Sequence, residues 1–197
     1  NTGTLFTLVP LITAILCIFL LKQKMSFSQL IIYLIGIVGT CIVVFKADID
    51  LLLNFSLNQG DLIFLFATIS MSLYSISTKY FHKKDDELPV LVFTTLLGGC
   101  IWMFLSLEIL DIPLEWSKIQ GDLIYYMIYL IIGATLMTVY LYQEAAITIG
   151  PKKLMAYVYL NPAAIAILLF ILEGEVISLK VLIGIILSTI ITFLLLF

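Results

Sequence analysis

Arginine is absent from this 197-residue chain; all ten basic residues are lysines. Histidine occurs once, as His82, inside the charged stretch "KYFHKKDDE". Charged residues make up only 12% of the sequence, about half the share usual in a soluble protein. These shortages exclude several classes of function. No basic patch is interleaved with aromatics, so nucleic acid is not a partner. The three cysteines, Cys17, Cys41 and Cys100, lie in separate apolar runs and read as buried thiols rather than a disulfide framework. One histidine and scattered cysteines make no metal cluster and no Ser–His–Asp set, so neither a metal nor a catalytic role is expected. No Walker A sequence is present, so ATP hydrolysis by this chain is not expected, nor is any other cofactor.

What the sequence has in abundance is apolar length. Hydrophobic residues make up 62% of it, and its mean hydropathy is +1.19. A soluble globule of this size could not bury that much apolar surface, so the chain reads as an all-α integral membrane protein. Seven uncharged apolar runs cover 4–21, 25–45, 62–78, 88–107, 123–143, 154–172 and 181–197. Each is long enough for a helix to cross ~30 Å of hydrocarbon. Barrel strands would be about ten residues long and alternate in polarity, and these runs do neither. In the first run, twelve Leu, Ile, Val or Phe residues favour insertion by roughly 4 to 7 kcal/mol before polar penalties.

Short loops make a lysine count informative. One set of connections holds Lys22, Lys24, Lys79, Lys83, Lys84, Lys152 and Lys153; the other holds only Lys46, Lys118 and Lys180. The richer set belongs in the cytoplasm. The C-terminus then also lies inside, and Glu173 and Glu175 lie outside.

A repeat runs through the chain. Displaced by 152 residues, "PLITAILCIFLLKQKMSFSQLIIYLIGIVGTCIVVF" (10–45) aligns without a gap to "PAAIAILLFILEGEVISLKVLIGIILSTIITFLLLF" (162–197). Ten of the 36 positions are identical, among them Pro10 with Pro162, Ala14 with Ala166, Ser26 with Ser178 and Thr40 with Thr192. From the first run to the sixth is five helices, and an odd-numbered repeat sets its second copy upside down in the membrane. That is the inverted design of many secondary transporters. Applied to residues 62–143, the same offset places their counterparts before residue 1. The expectation is a fragment holding helices 4–10 of a ten-helix inverted 5+5 repeat.

The motif of proline, acid and then glycine, read as Pro162, Glu175 and Gly184, resembles the EamA-type members of the drug/metabolite transporter superfamily. The first copy reads Pro10, Gln23 in place of the acid, and Gly39. Two further stretches, "GDLIFLFATISMSLYSISTKYF" (60–81) and "GATLMTVYLYQEAAITIGPKKLMAYVYLNP" (133–162), are similar to the start of the family's second repeat and to the link between its helices 8 and 9. Asn161, in place of an acid, and Met71, in place of a tryptophan, depart from the pattern. The resemblance divides the chain into the end of a first repeat (1–45, helices 4–5), a linker (46–60) and a second repeat (61–197, helices 6–10). It implies a multi-pass protein of the cell membrane with a central cavity, exporting small metabolites or drugs. A homodimer is allowed.

Candidate site residues follow from the prolines and the polar stripes. Pro162 removes a backbone donor and clashes with the carbonyl of residue 158, so it should kink its helix and present Asn161 and Tyr157, one turn apart, to a substrate path. The competing reading is a packing kink with Asn161 bonded to a neighbouring helix. Pro10 should kink the first run in the same way, with Thr7 a turn before it and Thr13 a turn after, unless these hydroxyls only bond back to their own helix. Thr138 and Tyr140 on the fifth run, and Tyr74 and Ser75 on the third, complete the candidate cavity. The stripe Thr68, Ser72, Ser75 faces protein or water. Tyr142 reads as an interface anchor and Glu144 as solvated. Thr94/Gly98, Thr95/Gly99 and Gly184/Ser188/Thr192 are small-residue patterns that favour close helix packing.

These residues support a secondary transporter working by alternating access. Its polar groups are amide, hydroxyl and phenol, which suit an amino-acid-like or drug-like solute. A phosphorylated one would call for basic residues within the spans. No acid stands at mid-membrane, which weighs against proton coupling through these helices. The alternative is a non-transporting scaffold or an inactive truncated product. An intramembrane enzyme finds no catalytic residues.

Overall fold

Proline decides how the first apolar run is built. In the computed structural model, which describes residues 2–45, 48, 50, 58–174 and 176–196, a short helix Thr2–Phe6 ends before Pro10, and a second helix, Val9–Leu20, starts with Pro10 in its first turn. The sixth run is divided in the same way. Helix Pro151–Ala156 passes into a 3₁₀ turn, Tyr157–Leu160, and helix Asn161–Glu173 then opens with Pro162 in its first turn. Proline is harmless there because a first-turn N–H has no partner within the helix. The expected kinks at Pro10 and Pro162 are therefore true interruptions, each with a fresh helix beginning at the ring. Glu175 and most of the expected linker 46–60 lie outside the described residues.

The other runs fold as expected. Helices Phe27–Val44, Gln59–Phe81, Leu88–Ile109, Leu123–Thr148, Pro151–Glu173 and Leu179–Leu196 are each long and apolar enough to cross a membrane, and Val9–Leu20 is a shorter apolar helix. The chain is an all-helical, multi-pass membrane protein.

The structure divides into two bodies, residues 1–80 with 149–197, and residues 81–148. The larger body carries the repeat. Its helices Phe27–Val44 and Leu179–Leu196 begin and end one repeat length apart. Their caps match as well. The Ser26 hydroxyl accepts from the Gln29 N–H at 3.2 Å, and the Ser178 hydroxyl accepts from the Val181 N–H at 3.3 Å. So do their back-bonds, with Thr40 donating to the Gly36 carbonyl at 3.0 Å and Thr192 donating to that of Ser188 at 2.8 Å.

These two helices pack against each other along a seam that runs in opposite directions. A Cβ added to Gly36 would lie 2.9 Å from the Ile191 side chain, one on Gly39 would lie 3.2 Å from the Ser188 nitrogen, and one on Gly184 would lie 2.9 Å from Val43. Numbers rise on one helix as they fall on the other, so the pair is antiparallel. Two of the contacts are reciprocal under the repeat: 36 meets 191 and 39 meets 188, where 188 and 191 are the repeat partners of 36 and 39. Reciprocity of this kind is the mark of a two-fold axis. The Gly184/Ser188/Thr192 pattern thus serves close packing, as its small residues suggest.

Helix Gln59–Phe81 joins the larger body through a buried hydroxyl chain. Thr13 donates to the Ser72 hydroxyl at 2.9 Å, and Ser72 donates to the Thr68 carbonyl at 3.0 Å. The helix is capped by a reciprocal pair: the Asn58 N–H donates to the Asp61 carboxylate at 2.9 Å, and the Asp61 N–H donates to the Asn58 side-chain oxygen at 3.0 Å.

In the smaller body, helix Leu88–Ile109 packs beside the span Leu123–Thr148. That span is α-helical over Leu123–Tyr129, a π-helix over Leu130–Met137 and α-helical again over Thr138–Thr148. The Gln143 amide donates to the Thr95 hydroxyl at 2.8 Å, tying the two together. One expectation fails here. The patterns Thr94/Gly98 and Thr95/Gly99 make no close helix contact: a Cβ on Gly98 or Gly99 would meet nothing within 4 Å. Thr94 and Thr95 donate to carbonyls of their own helix. Small side chains permit close approach, but in this body no second helix reaches those glycines.

Candidate functional site

Where the two helix interruptions come together, the larger body holds a cavity of about 720 Å³. Each interruption has the same origin. Pro10 and Pro162 lack the N–H that would have bonded the carbonyl four residues back, on Phe6 and on Val158. Phe6 and Val158 both line the cavity. At the second break the Asn161 N–H takes over as donor to the Val158 carbonyl. Non-helical backbone at membrane depth is tolerated where it borders a cavity of this kind.

The wall is mostly apolar. Phe6 and Phe64, with ring centroids 6.3 Å apart, form one side. Val43 and Val44, at the end of the first repeat's closing helix, form another, and Ile165 and Leu169 continue from Pro162. Three side chains add polarity: Thr7, Asn161 and Ser178. Among the described residues, no lysine, aspartate or glutamate lines the cavity. The Asn161 carboxamide is exposed and makes no hydrogen bond to any described residue. A primary amide can donate twice and accept, so Asn161 offers a solute a full set of hydrogen bonds. An apolar chamber with a few placed polar groups is the usual form of a small-molecule site.

The expected site residues divide by position. Asn161 and Pro162 stand on the wall. Tyr157 does not line the cavity, although it is 45% exposed. The expectation that it shares a face with Asn161 assumed α-helical spacing, in which four residues return to within about 40° of the start. The 3₁₀ turn over Tyr157–Leu160 makes that separation about 120°. Thr13 is fully buried, bonded to Ser72 and away from the wall; Pro10 is buried beside it in sequence. Ser75 is buried with a hydroxyl that finds no hydrogen-bond partner, and Tyr74 is half-buried; neither lines the cavity. Thr138 and Tyr140 belong to the smaller body, where Thr138 donates to the Gly133 carbonyl at 3.3 Å and Tyr140 is 39% exposed. Among the described residues no group of acids, cysteines and histidine could hold a metal ion.

Sequence reasoning put Thr7 beside the first proline but gave no weight to Phe6, Phe64, Val43 or Ser178. It also passed over Tyr159, which is fully buried and donates to the Tyr33 carbonyl at 2.9 Å.

Comparison with known proteins bears on the same reading. Residues 58–197 match the EamA-like transporter family. The chain is similar to the uncharacterized transporter YdfC of Bacillus subtilis (strain 168), with 26% identity over 180 residues, 91% of this chain and 56% of that protein. It is also similar to the uncharacterized transporter YyaM of the same organism, with 27% identity over 107 residues, 54% of this chain and 35% of that protein. The chain thus spans 56% of the length of the first relative and 35% of the second. No solved structure matches it.

Proposed function

The chain belongs to the EamA-like transporter family, and from that premise we propose that it is part of a secondary transporter exporting small organic solutes across the cytoplasmic membrane by alternating access. The observation that carries this reading is the cavity itself. It lies where two repeat-related helix breaks meet, beside an antiparallel seam, with the Asn161 amide on its wall. Two matching bundles in opposite orientations can rock against each other about a site near their axis. The division into 1–45, 46–60 and 61–197 is supported by a family match that begins at residue 58. The lysine distribution supports a cytoplasmic C-terminus.

The substrate is an amino-acid-like or drug-like solute with at least one amide- or hydroxyl-bonding group. The described residues of the lining offer no charge to a phosphate. Asn161 is the contact that orients the solute, with Ser178 as a secondary donor. A solute and the lipid bilayer are the partners. A homodimer is compatible with the bare spans of the smaller body.

The test is transport in proteoliposomes. A panel of neutral, zwitterionic and anionic solutes is offered to the purified protein and to Asn161→Ala. Movement of a neutral or zwitterionic solute, slowed by the substitution, supports the reading. Failure to move any solute favours the non-transporting scaffold. That second reading draws on one observation: within the smaller body, helix Leu88–Ile109 and span Leu123–Thr148 bury few of their described side chains.

A further inference from the structure

The cavity has a counterpart, and the counterpart is full. The apolar cluster next to the cavity contains Val43, Ala163, Ala166, Ile177 and Ile185. Shifted by one repeat length, these become Leu195, Leu11, Ala14, Met25 and Tyr33, and all five belong to the other core cluster of this body. Only Val181, whose repeat partner is Gln29, breaks the match, so the two clusters are closely similar constructions at opposite ends of the seam. One end is open. At the other, Ala14, Tyr33, Tyr159 and Ile191 are buried together.

Two pairs of positions contribute to the difference: Gly3 on the cavity wall has the buried Met155 as its repeat partner, and the second pair carries an aromatic ring. Thr7 lines the cavity, and its repeat partner is Tyr159. The phenol ring of Tyr159 adds bulk where the other copy has only a threonine, and it is fully buried. Its seat is Gly36, where an added Cβ would lie 2.7 Å from the ring. The repeat partner of Gly36 is Ser188. The copies thus differ at this pair: at the closed end a tyrosine ring lies against a glycine, and the repeat partners of the two are Thr7 and Ser188. The Tyr159 hydroxyl then donates to the Tyr33 carbonyl, linking the second repeat to the closing helix of the first. The closed end is the one at which Lys152 donates to the Lys24 carbonyl at 3.1 Å, the side that the lysine bias assigns to the cytoplasm.

We infer that Tyr159 is the gate of the closed end: its ring fills the repeat image of the cavity, and its hydroxyl latches the second repeat to Tyr33. This rests on the transporter reading above and adds a residue to it. Opening that end requires the ring to leave Gly36 and the bond to Tyr33 to break. A smaller side chain at 159 shifts the balance toward an open passage, because the closed state loses contacts that the open state never had.

The native thiol Cys17 supplies a reporter. It is fully buried at the closed end, and its repeat partner, Leu169, lines the cavity. In nanodiscs, with Cys41 and Cys100 replaced by alanine, a charged maleimide reports water access at Cys17. A parallel protein with Cys17→Ala and Leu169→Cys reports the cavity. The expected result is fast labelling at Leu169→Cys and slow labelling at Cys17. Tyr159→Thr raises the Cys17 rate by about tenfold or more and leaves the Leu169→Cys rate unchanged. Tyr159→Phe, which keeps the ring and loses the latch, raises it by less. Unchanged Cys17 labelling in a folded Tyr159→Thr protein overturns the inference. If Tyr159→Thr does not fold, Tyr159→Phe decides: a faster Cys17 rate supports the latch, and an unchanged one overturns it. Labelling needs no substrate. A moving gate in a protein that transports nothing therefore counts against the transporter reading alone, and transport with a fixed Tyr159 counts against the gate alone.

Discussion

A methyl group added to Gly184 would lie 3.0 Å from the carbonyl oxygen of Gly39 and 2.9 Å from the side chains of Ile42 and Val43. The two closing helices therefore meet at backbone distance, and the seam has no room for a side chain there. Gly184→Ala should destabilise the protein by about 1–3 kcal/mol, the usual cost of overpacking. Gly98→Ala provides the contrast, since a Cβ there meets nothing within 4 Å. It should be neutral or stabilising by up to about 1 kcal/mol through helix propensity. Thermal unfolding of the detergent-solubilised variants, compared with the parent, checks both.

The Asn161 carboxamide has no hydrogen-bond partner among the described residues, so removing it should leave the fold intact. Asn161→Ala should slow transport by about three- to tenfold, the worth of one neutral hydrogen bond to a solute. Its melting temperature should match the parent's. A large loss of stability would show that the amide is structural.

The buried hydroxyls behave in opposite ways. The Ser75 hydroxyl is buried without a partner among the described residues, so Ser75→Ala removes an unmet polar group and should be neutral or stabilising by up to about 1 kcal/mol. Thr13→Val breaks the bond to Ser72 and should cost about 1 kcal/mol. Neither should alter transport, because neither side chain lines the cavity. Chemical or thermal denaturation of the two variants gives the sign of each effect.

In the smaller body, the bond from Gln143 to Thr95 crosses between two spans. A double-mutant cycle with Gln143→Met and Thr95→Val should give a coupling energy of about 0.6 kcal/mol, and no more than about 1.7, as for other hydrogen bonds between membrane helices. A coupling of zero would show that each side chain finds an equal partner when the other is gone.

The spans were legible because length and apolarity suffice to define a membrane helix. The repeat was legible because prolines, capping serines and back-bonding threonines sit at fixed spacing, and each pair does the same work in both copies: Ser26 with Ser178, Thr40 with Thr192. Pro10 and Pro162 announced two breaks but not their form. A continuous kinked helix and a 3₁₀ turn followed by a new helix share the same sequence signal, and the choice between them moved Tyr157 away from Asn161. The wall residues Phe6, Phe64 and Val43 were hidden for a plainer reason. In a chain this apolar, a side chain facing a cavity looks like one facing lipid. The hydroxyls of Thr13 and Ser75 likewise could not reveal whether water or another helix lay opposite. The π-helix over Leu130–Met137 left no mark in the hydrophobic pattern.

A contact that maps onto itself when the chain is turned over needs only one sequence to specify both of its sides. The seam around Gly36 and Gly39 has that property wherever the copies agree, so a half-length ancestor inserted in both orientations could have built it from two identical chains. Tyr159 and Thr7 are where that equivalence ends. With the bulky ring in one copy and the threonine in the other, the halves cannot trade places, and each is fitted to its own face of the membrane.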